Sequence, residues 1–306
     1  LLQSAKDRNL NFLCEASGGG GVPIIRPMHQ CLAANQISEL AGILNGTTNY
    51  ILTKMIRENM SFDAALKMAQ DLGYAETIDP SADTEGHDAC RKICILASLA
   101  FGKHVYPKDV YTKGITQVTL EDFSYAADMG RVIKLIARAK DMGDGKGALA
   151  VSPALISQDS QLASVEDVFN GILVRGDMLG DVVFYGKGAG KLPTASAVVA
   201  DVIDAVKNKG HNKGIYWVDS DDSQLVPYDQ VEVQYYVRLK LAPYMDGKSL
   251  VAGVYGEVEF VDRPERPADE LAFITDTRVQ REHLAAFEKL QEAGAQVLGS
   301  IPLLDY

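Results

Sequence analysis

Five carboxylates fall between positions 76 and 88, at Glu76, Asp79, Asp83, Glu85 and Asp88, and two cations follow at Arg91 and Lys92. Asp88 and Lys92 are four residues apart, so on a helix they share a face. A carboxylate beside an ammonium can hold it in position, and desolvation lowers a lysine's pKa until it serves as an acid or base. From Ile93 to Phe101 the sequence is strongly apolar, which puts the pair at the edge of a buried helix. A plainer reading is an exposed ion pair above a solvated loop. Asp79, Glu85 and even Asp83 would then be acids tolerated near a helix N-terminus.

The elements that must carry these groups are legible on either side. A strand over Ile37–Leu44, a turn over Asn45–Asn49 and a helix over Tyr50–Glu58 precede them. Ser61 then caps a helix through Phe62, Ala65, Leu66, Ala69 and Leu72 that stops at Gly73, and the acidic loop 74–86 leads into a helix over 88–101. Upstream, Asn11–Ala16 reads as a short strand feeding the loop Ser17-Gly18-Gly19-Gly20-Gly21, after which Pro23 can open a helix. Strands are expected over 133–140, 148–157, 169–175 and 182–185. A second glycine loop over 186–190 and a helix over 194–208 follow. Val231 to Leu241 alternates apolar and polar residues, which predicts one strand with a wet face. With a strand over 271–275, a helix over 279–293 and a strand over 296–303, it reads as a small α+β domain with its own sheet.

The 306 residues carry a net charge of −11, with 47% apolar and 23% charged residues, a globular balance and not a disordered one. An acidic chain lacks the basic footprint that nucleic acids require. The nine-residue run Ile93–Phe101 is far short of the ~20 residues of a membrane span. The polar start, Leu1 to Arg8, offers no signal-peptide core, so a cytoplasmic location is expected. Cys14, Cys31, Cys90 and Cys94 show no zinc or disulfide spacing and read as buried reduced thiols.

Four segments in order resemble the homoserine dehydrogenase family. They are Glu15-Ala-Ser-Gly-Gly-Gly-Gly-Val-Pro-Ile-Ile25; Ile43-Leu-Asn-Gly-Thr-Thr-Asn-Tyr-Ile-Leu52; the run Gly73-Tyr-Ala-Glu76, Asp79-Pro80, Asp83, Gly86, Asp88 and Lys92; and Tyr185-Gly-Lys-Gly-Ala-Gly-Lys-Leu-Pro-Thr-Ala-Ser-Ala-Val-Val-Ala-Asp201. The resemblance implies NAD(P)-dependent, reversible reduction of L-aspartate 4-semialdehyde to L-homoserine, on the route to threonine, methionine and isoleucine. It implies that Lys92 gives a proton to the aldehyde oxygen and that Asp88 holds the substrate hydroxyl and orients Lys92. Glu76 would bind the substrate ammonium, helped by Asp83 and by the backbone around Gly46, Thr47 and Tyr74. Gly188 and Gly190 would approach the cofactor. Glu15 and the carbonyls near Gly18, Gly20 and Val22 would coordinate sodium, Gly18 standing where the family usually has Val.

The fold implied is α/β: residues 1–25 as the end of a Rossmann-type dinucleotide-binding domain, 26–214 as a substrate-binding and dimerisation domain with a mixed sheet, and 231–306 as a loosely ACT-like domain. A homodimer or homotetramer acting on a small molecule is expected, without nucleic acid or membrane. The family's Gly-x-Gly-x-x-Gly loop and its Thr-Ala/Pro-Asn-Lys segment do not occur in the chain, and Asp246-Gly-Lys-Ser-Leu-Val-Ala252 lacks the proline of the ACT motif. A reading of another class is a non-catalytic amino-acid sensor built on the C-terminal region, or a fragment that only dimerises. A sensor would have no need of the Asp88/Lys92 pair.

Overall fold

The computed structural model describes residues 2–211, 213–220 and 224–306. The chain opens with helix α1 (Leu2–Asp7) and a helical turn α2 (Ala16–Gly19). The strand expected over Asn11–Ala16 does not form. The Asn11 side chain bonds the backbone of His211 and Lys213 in place of a ladder, and the chain winds into α2 at Ala16. Strand β1 (Ile37–Ile43) leads to α3 (Gly46–Glu58), α4 (Phe62–Asp71), the short α5 (Ser81–Thr84) and α6 (His87–Phe101). Next come β2 (Tyr111–Thr112), α7 (Leu120–Asp128), the four strands β3 (Arg131–Gly143), β4 (Lys146–Ser157), β5 (Phe169–Gly176) and β6 (Gly180–Lys187), and α8 (Lys191–Lys207). The remainder holds β7 (Glu232–Val233), β8 (Tyr235–Lys240), α9 (Gly247–Tyr255), β9 (Glu259–Phe260), β10 (Glu270–Ile274), β11 (Arg278–Val279), α10 (Gln280–Glu292) and β12 (Gln296–Leu304).

A ten-stranded mixed sheet runs in the order β6-β5-β1-β3-β4-β12-β8-β10-β9, with β2 beside β4. The pairings of β4 with β12 and with β2 are parallel, and the others are antiparallel. The expected mixed-sheet α/β architecture is present, with one correction. The sheet of the C-terminal region is not its own. β12 lies antiparallel to β8 and sets Leu303 opposite Leu155 of β4, which joins the two halves.

The second correction concerns Val231–Leu241. The ladder is interrupted at Gln234, whose side chain donates to the Thr275 carbonyl, and β8 has no wet face. Tyr236 and Arg238, on the face read as wet, are buried against α7, with the Tyr236 ring 5.7 Å from that of Tyr125. A period of two names the two faces of a strand but not what covers them.

Helices α3, α4 and α6 bury Ile51, Met55, Ala65, Ile93 and Leu96 against one face of the sheet, beside Leu40 of β1. The opposite face packs Ala41, Ile43, Ile136 and Leu173 beneath Leu162 and Val165 of the β4–β5 connection. Ser61 caps α4 as expected, but α3 begins at Gly46, inside the segment read as a turn. The acidic loop likewise contains α5. All four cysteines are free; Cys90 and Cys94 are buried, whereas Cys31 is exposed and Cys14 half-buried, contrary to the buried reading.

Candidate active site

Helix α6 sets the centre of the site. Gly86 precedes it at φ +83°, where a Cβ would lie 3.2 Å from Thr112 and Val151, so glycine alone turns comfortably into the helix. Within the first two turns, Lys92 Nζ donates to Asp88 Oδ2 at 2.7 Å and to the Leu44 carbonyl at 2.9 Å. The two side chains are 19% and 31% exposed, so the pair is half sunk and not a free surface contact. An ammonium has three donors. These two bonds leave one for a ligand.

Asn45 follows Leu44 and is the joint of the site. Its Nδ2 donates to Asp83 Oδ1 at 2.7 Å and to Asp88 Oδ2 at 2.9 Å, and its Oδ1 accepts from the Thr48 backbone at 2.8 Å, capping α3. One side chain thus ties the end of β1, the start of α3, α5 and α6 together. Sequence reasoning passes over Asn45 as a turn residue; the signal for it was the preference of asparagine for the position before a helix. Burial, reinforced by the charge of Asp88, holds the Asp83 carboxyl above its usual pKa, against the pull of the Asn45 bond and of Lys92.

Of the other expected substrate residues, Gly46, Thr47 and Tyr74 adjoin this cluster and Glu76 does not join it. Thr47 Oγ1 donates to the Tyr74 carbonyl at 2.8 Å, and the Tyr74 ring meets Tyr50 edge-on at 5.2 Å. Gly46 is the first residue of α3, and a Cβ there would sit 2.7 Å from the Val168 carbonyl. Glu76 stands on the exposed loop between α4 and α5. Its backbone carbonyl accepts from Gln70, and its carboxylate takes part in none of the bonds that join Asn45, Asp83, Asp88 and Lys92.

The two glycine loops pack against each other. Gly20 has φ +61°, and a Cβ on it would fall 1.7 Å from the Gly188 carbonyl. Gly21 abuts Pro193 and the Lys187 carbonyl, and its N–H donates to the latter at 3.2 Å. Gly188 is buried, and its missing Cβ makes room for Asn170 of β5, whereas Gly190 is exposed at φ +119° and opens α8. A chain of near neighbours therefore runs from Lys92 through Leu44, Asn45, Gly46, Asn170 and Gly188 to Gly20.

The carboxylate of Glu15 is fully engaged. Oε1 accepts from the backbone of Ile24 and Ile25 at 2.6 and 2.8 Å, and Oε2 from the backbone and Nε of Arg26 at 2.9 and 3.0 Å. That fills the two lone pairs of each oxygen, so the side chain does not fit a cation ligand. The loop's own backbone bonds run from Ser17 to Cys14, Gly18 to Glu15, Val22 to Gly19 and Gly21 to Lys187. They use none of the carbonyls of Gly18, Gly20 and Val22, and main-chain oxygens are the hard donors that suit such an ion. Arg26 and Asp201, whose carboxylate accepts from the Glu15 backbone at 2.9 Å, complete this anchor; neither was singled out in the sequence.

A cavity of about 410 Å³ lies at the far end of α6, between Met28, Leu32, Leu99, Phe101 and Leu225, and shares no residue with this cluster. Among the described residues no helix is long and apolar enough to cross a membrane.

The family model for homoserine dehydrogenase matches residues 23–203. The homoserine dehydrogenase of Synechocystis is 53% identical over 209 residues, covering 67% of this chain and 48% of that protein. The crystal structure of a homoserine dehydrogenase from Thiobacillus denitrificans superposes with a TM-score of 0.86 at 34% identity, covering 99% of this chain and 72% of that one. A hyperthermophilic archaeal homoserine dehydrogenase mutant in complex with NADPH matches at 30% identity and a TM-score of 0.58, over 67% of this chain and 59% of that one. The chain spans about half the length of the Synechocystis relative.

Proposed function

This chain belongs to the homoserine dehydrogenase family, and we propose that it carries the substrate side of the NAD(P)-dependent interconversion of L-aspartate 4-semialdehyde and L-homoserine. The observation that carries this reading is the Lys92 ammonium, held by two bonds with its third donor spare, beside carboxylates suited to an amino-acid substrate. The nicotinamide cofactor, when bound, supplies or accepts the hydride. Gly190, exposed and without a side chain, fits its approach, whereas Gly188 is buried beneath Gly20 and Asn170 and would act from behind the loop. The archaeal relative in complex with NADPH supports the same cofactor class.

During reduction, negative charge grows on the aldehyde oxygen. Lys92 stabilises it at once by a charge-assisted hydrogen bond and then delivers a proton. Asp88 keeps the ammonium aimed and accepts from the substrate hydroxyl, while Asp83, with Glu76 on the loop above, faces the substrate ammonium. Thr47, Gly46 and Tyr74 shape the rim. The main-chain oxygens of Glu15, Gly18, Gly20 and Val22 would hold a sodium ion, with the Glu15 side chain anchoring the loop and taking no place among the ligands. Residues 26–214 would form the substrate-binding and dimerisation domain and 231–306 an ACT-like domain.

Homoserine oxidation by the full-length gene product, with NAD or NADP, tests the reading. Lys92→Ala should lower turnover by about two orders of magnitude or more, the usual scale for an acid–base group. A loss of tenfold or less would move that role elsewhere. Self-association is proposed through the central sheet, whose edge strand β6 and preceding turn expose Met178, Leu179 and Tyr185. Sedimentation at micromolar concentration should give a dimer or tetramer, and a single monomeric species would contradict the proposal.

A further inference from the structure

We propose that Asn170 is a positioning residue that couples the 186–190 loop to the Gly46 turn, so that cofactor and substrate bind with a mutual effect on each other's affinity. This rests on the functional reading above and extends it to a residue outside the four family segments. Asn170 lies on β5 opposite Gly186 of β6 and has no exposed surface, yet neither its Nδ2 nor its Oδ1 has a hydrogen-bond partner. A fully buried carboxamide with both ends unpaired is rare, because each orphaned atom has lost its water for nothing.

The surroundings explain why the orphan persists. A Cβ on Gly188 would fall 2.1, 2.2 and 2.3 Å from Asn170 Cγ, Nδ2 and Oδ1. Three nearly equal distances put Gly188 over the flat face of the amide, where no hydrogen bond can form, while the donors and acceptor point within the plane. The Cβ position of Gly46 lies 3.5 Å from Asn170 Oδ1 as well. Gly46 opens α3, where backbone N–H groups have no partner inside the helix. The next residue back, Asn45, holds Asp83 and Asp88.

A shift of either backbone segment beside the amide, the Gly188 loop or the Gly46 turn, changes which partners it can reach. A ligand that settles on the loop changes the packing that the turn meets, and the converse holds equally, since coupling between binding sites is reciprocal. The Gly188 carbonyl against Gly20 extends the same link to the first glycine loop.

The test is the equilibrium affinity of the full-length gene product for NADPH, followed by its fluorescence, with and without saturating homoserine. The unsubstituted protein should show a ratio of the two dissociation constants of about fivefold or more, within the usual range for coupled sites. Asn170→Leu keeps the bulk without the amide and should bring the ratio to within about twofold of one. Asn170→Ser serves the same purpose should the leucine variant not fold. Damage to the fold alone would weaken both affinities and leave their ratio unchanged, and that outcome overturns the proposal. So does a ratio near one in the unsubstituted protein. If that protein binds neither ligand, the functional reading falls and this inference with it; if it binds both and the variants keep its ratio, only the inference falls.

Discussion

Asp83, a candidate site residue, is held at a cost to the fold. Its carboxyl has a raised pKa, chiefly because it is half-buried and loses solvation and secondarily because Asp88 is close. The native state therefore holds that proton more tightly than the unfolded chain, where an aspartate titrates near 3.9. Below that value both states are protonated and the difference vanishes. As the pH rises through the interval up to the native pKa, the unfolded state ionises first, so the native state loses stability and carries the full penalty at neutral pH. Asp83→Asn should accordingly raise the melting temperature at pH 7, by an amount that shrinks towards zero as the pH approaches about 4. On the proposed reading the same substitution should weaken homoserine binding, because it removes the charge set against the substrate ammonium. A variant that melts lower at pH 7 would show that Asp83 carries no such penalty, and one that binds homoserine as before would show that it is not in contact with substrate.

Elements were legible where the pattern is local and lost where it depends on a distant partner. Ser61 announces α4, and the apolar residues of 87–101 announce α6, because a cap and a helical face are written in consecutive residues. Asp88 and Lys92 follow from the same arithmetic of one helical turn. The start of α3 was obscured because Asn45 and Gly46 are turn formers by composition, and the Asn45 cap and the packing of Gly46 against Val168 together settle the helix there. Asn170 gave no signal at all: its meaning comes from Gly188, eighteen positions on, reached across a strand pair. The element-scale prediction follows from Asn45. Asn45→Ala removes the cap of α3, which should cost about 1 kcal/mol or somewhat more. It also frees Asp83 and Asp88 from their shared donor. Denaturant unfolding should show that loss, while kinetics show a rise in KM for homoserine larger than any change for the cofactor. Equal changes in both constants would mean that Asn45 supports the fold and not the carboxylates.

Across the whole molecule, the joining of the two sheet halves is the feature least visible in the sequence. Alternation over Val231–Leu241 places Arg238 among residues that should face water, and a lone arginine there invites no other reading. Its partners are more than thirty and more than a hundred positions away. Arg238 Nε donates to Asp122 Oδ1 at 3.0 Å, Nη1 to Glu270 at 3.2 Å, and Nη2 to Thr119 Oγ1 at 2.8 Å. Thr119 and Asp122 also form the capping box of α7, so the arginine fastens the C-terminal sheet to the helix start that packs on β3. Asp122 is 1% exposed and the Arg238 side chain 5%. A buried pair of this kind adds little over an apolar replacement, but removing one partner strands the other charge and typically costs about 3–5 kcal/mol. Arg238→Ala should therefore cost stability on that scale in urea unfolding. Because the sheet is continuous across the junction, the loss should shift the transition of both halves and not split off the C-terminal region alone. Arg238→Met, which fills the space, should still suffer while Asp122 remains, and Arg238→Met combined with Asp122→Leu and Glu270→Leu should recover part of the loss, short by the roughly 1 kcal/mol of the α7 cap that Asp122 also supplies. A single variant that unfolds within about 1 kcal/mol of the unsubstituted chain, the range of an exposed ion pair, would show that water reaches the network and that the junction is held by β12 alone.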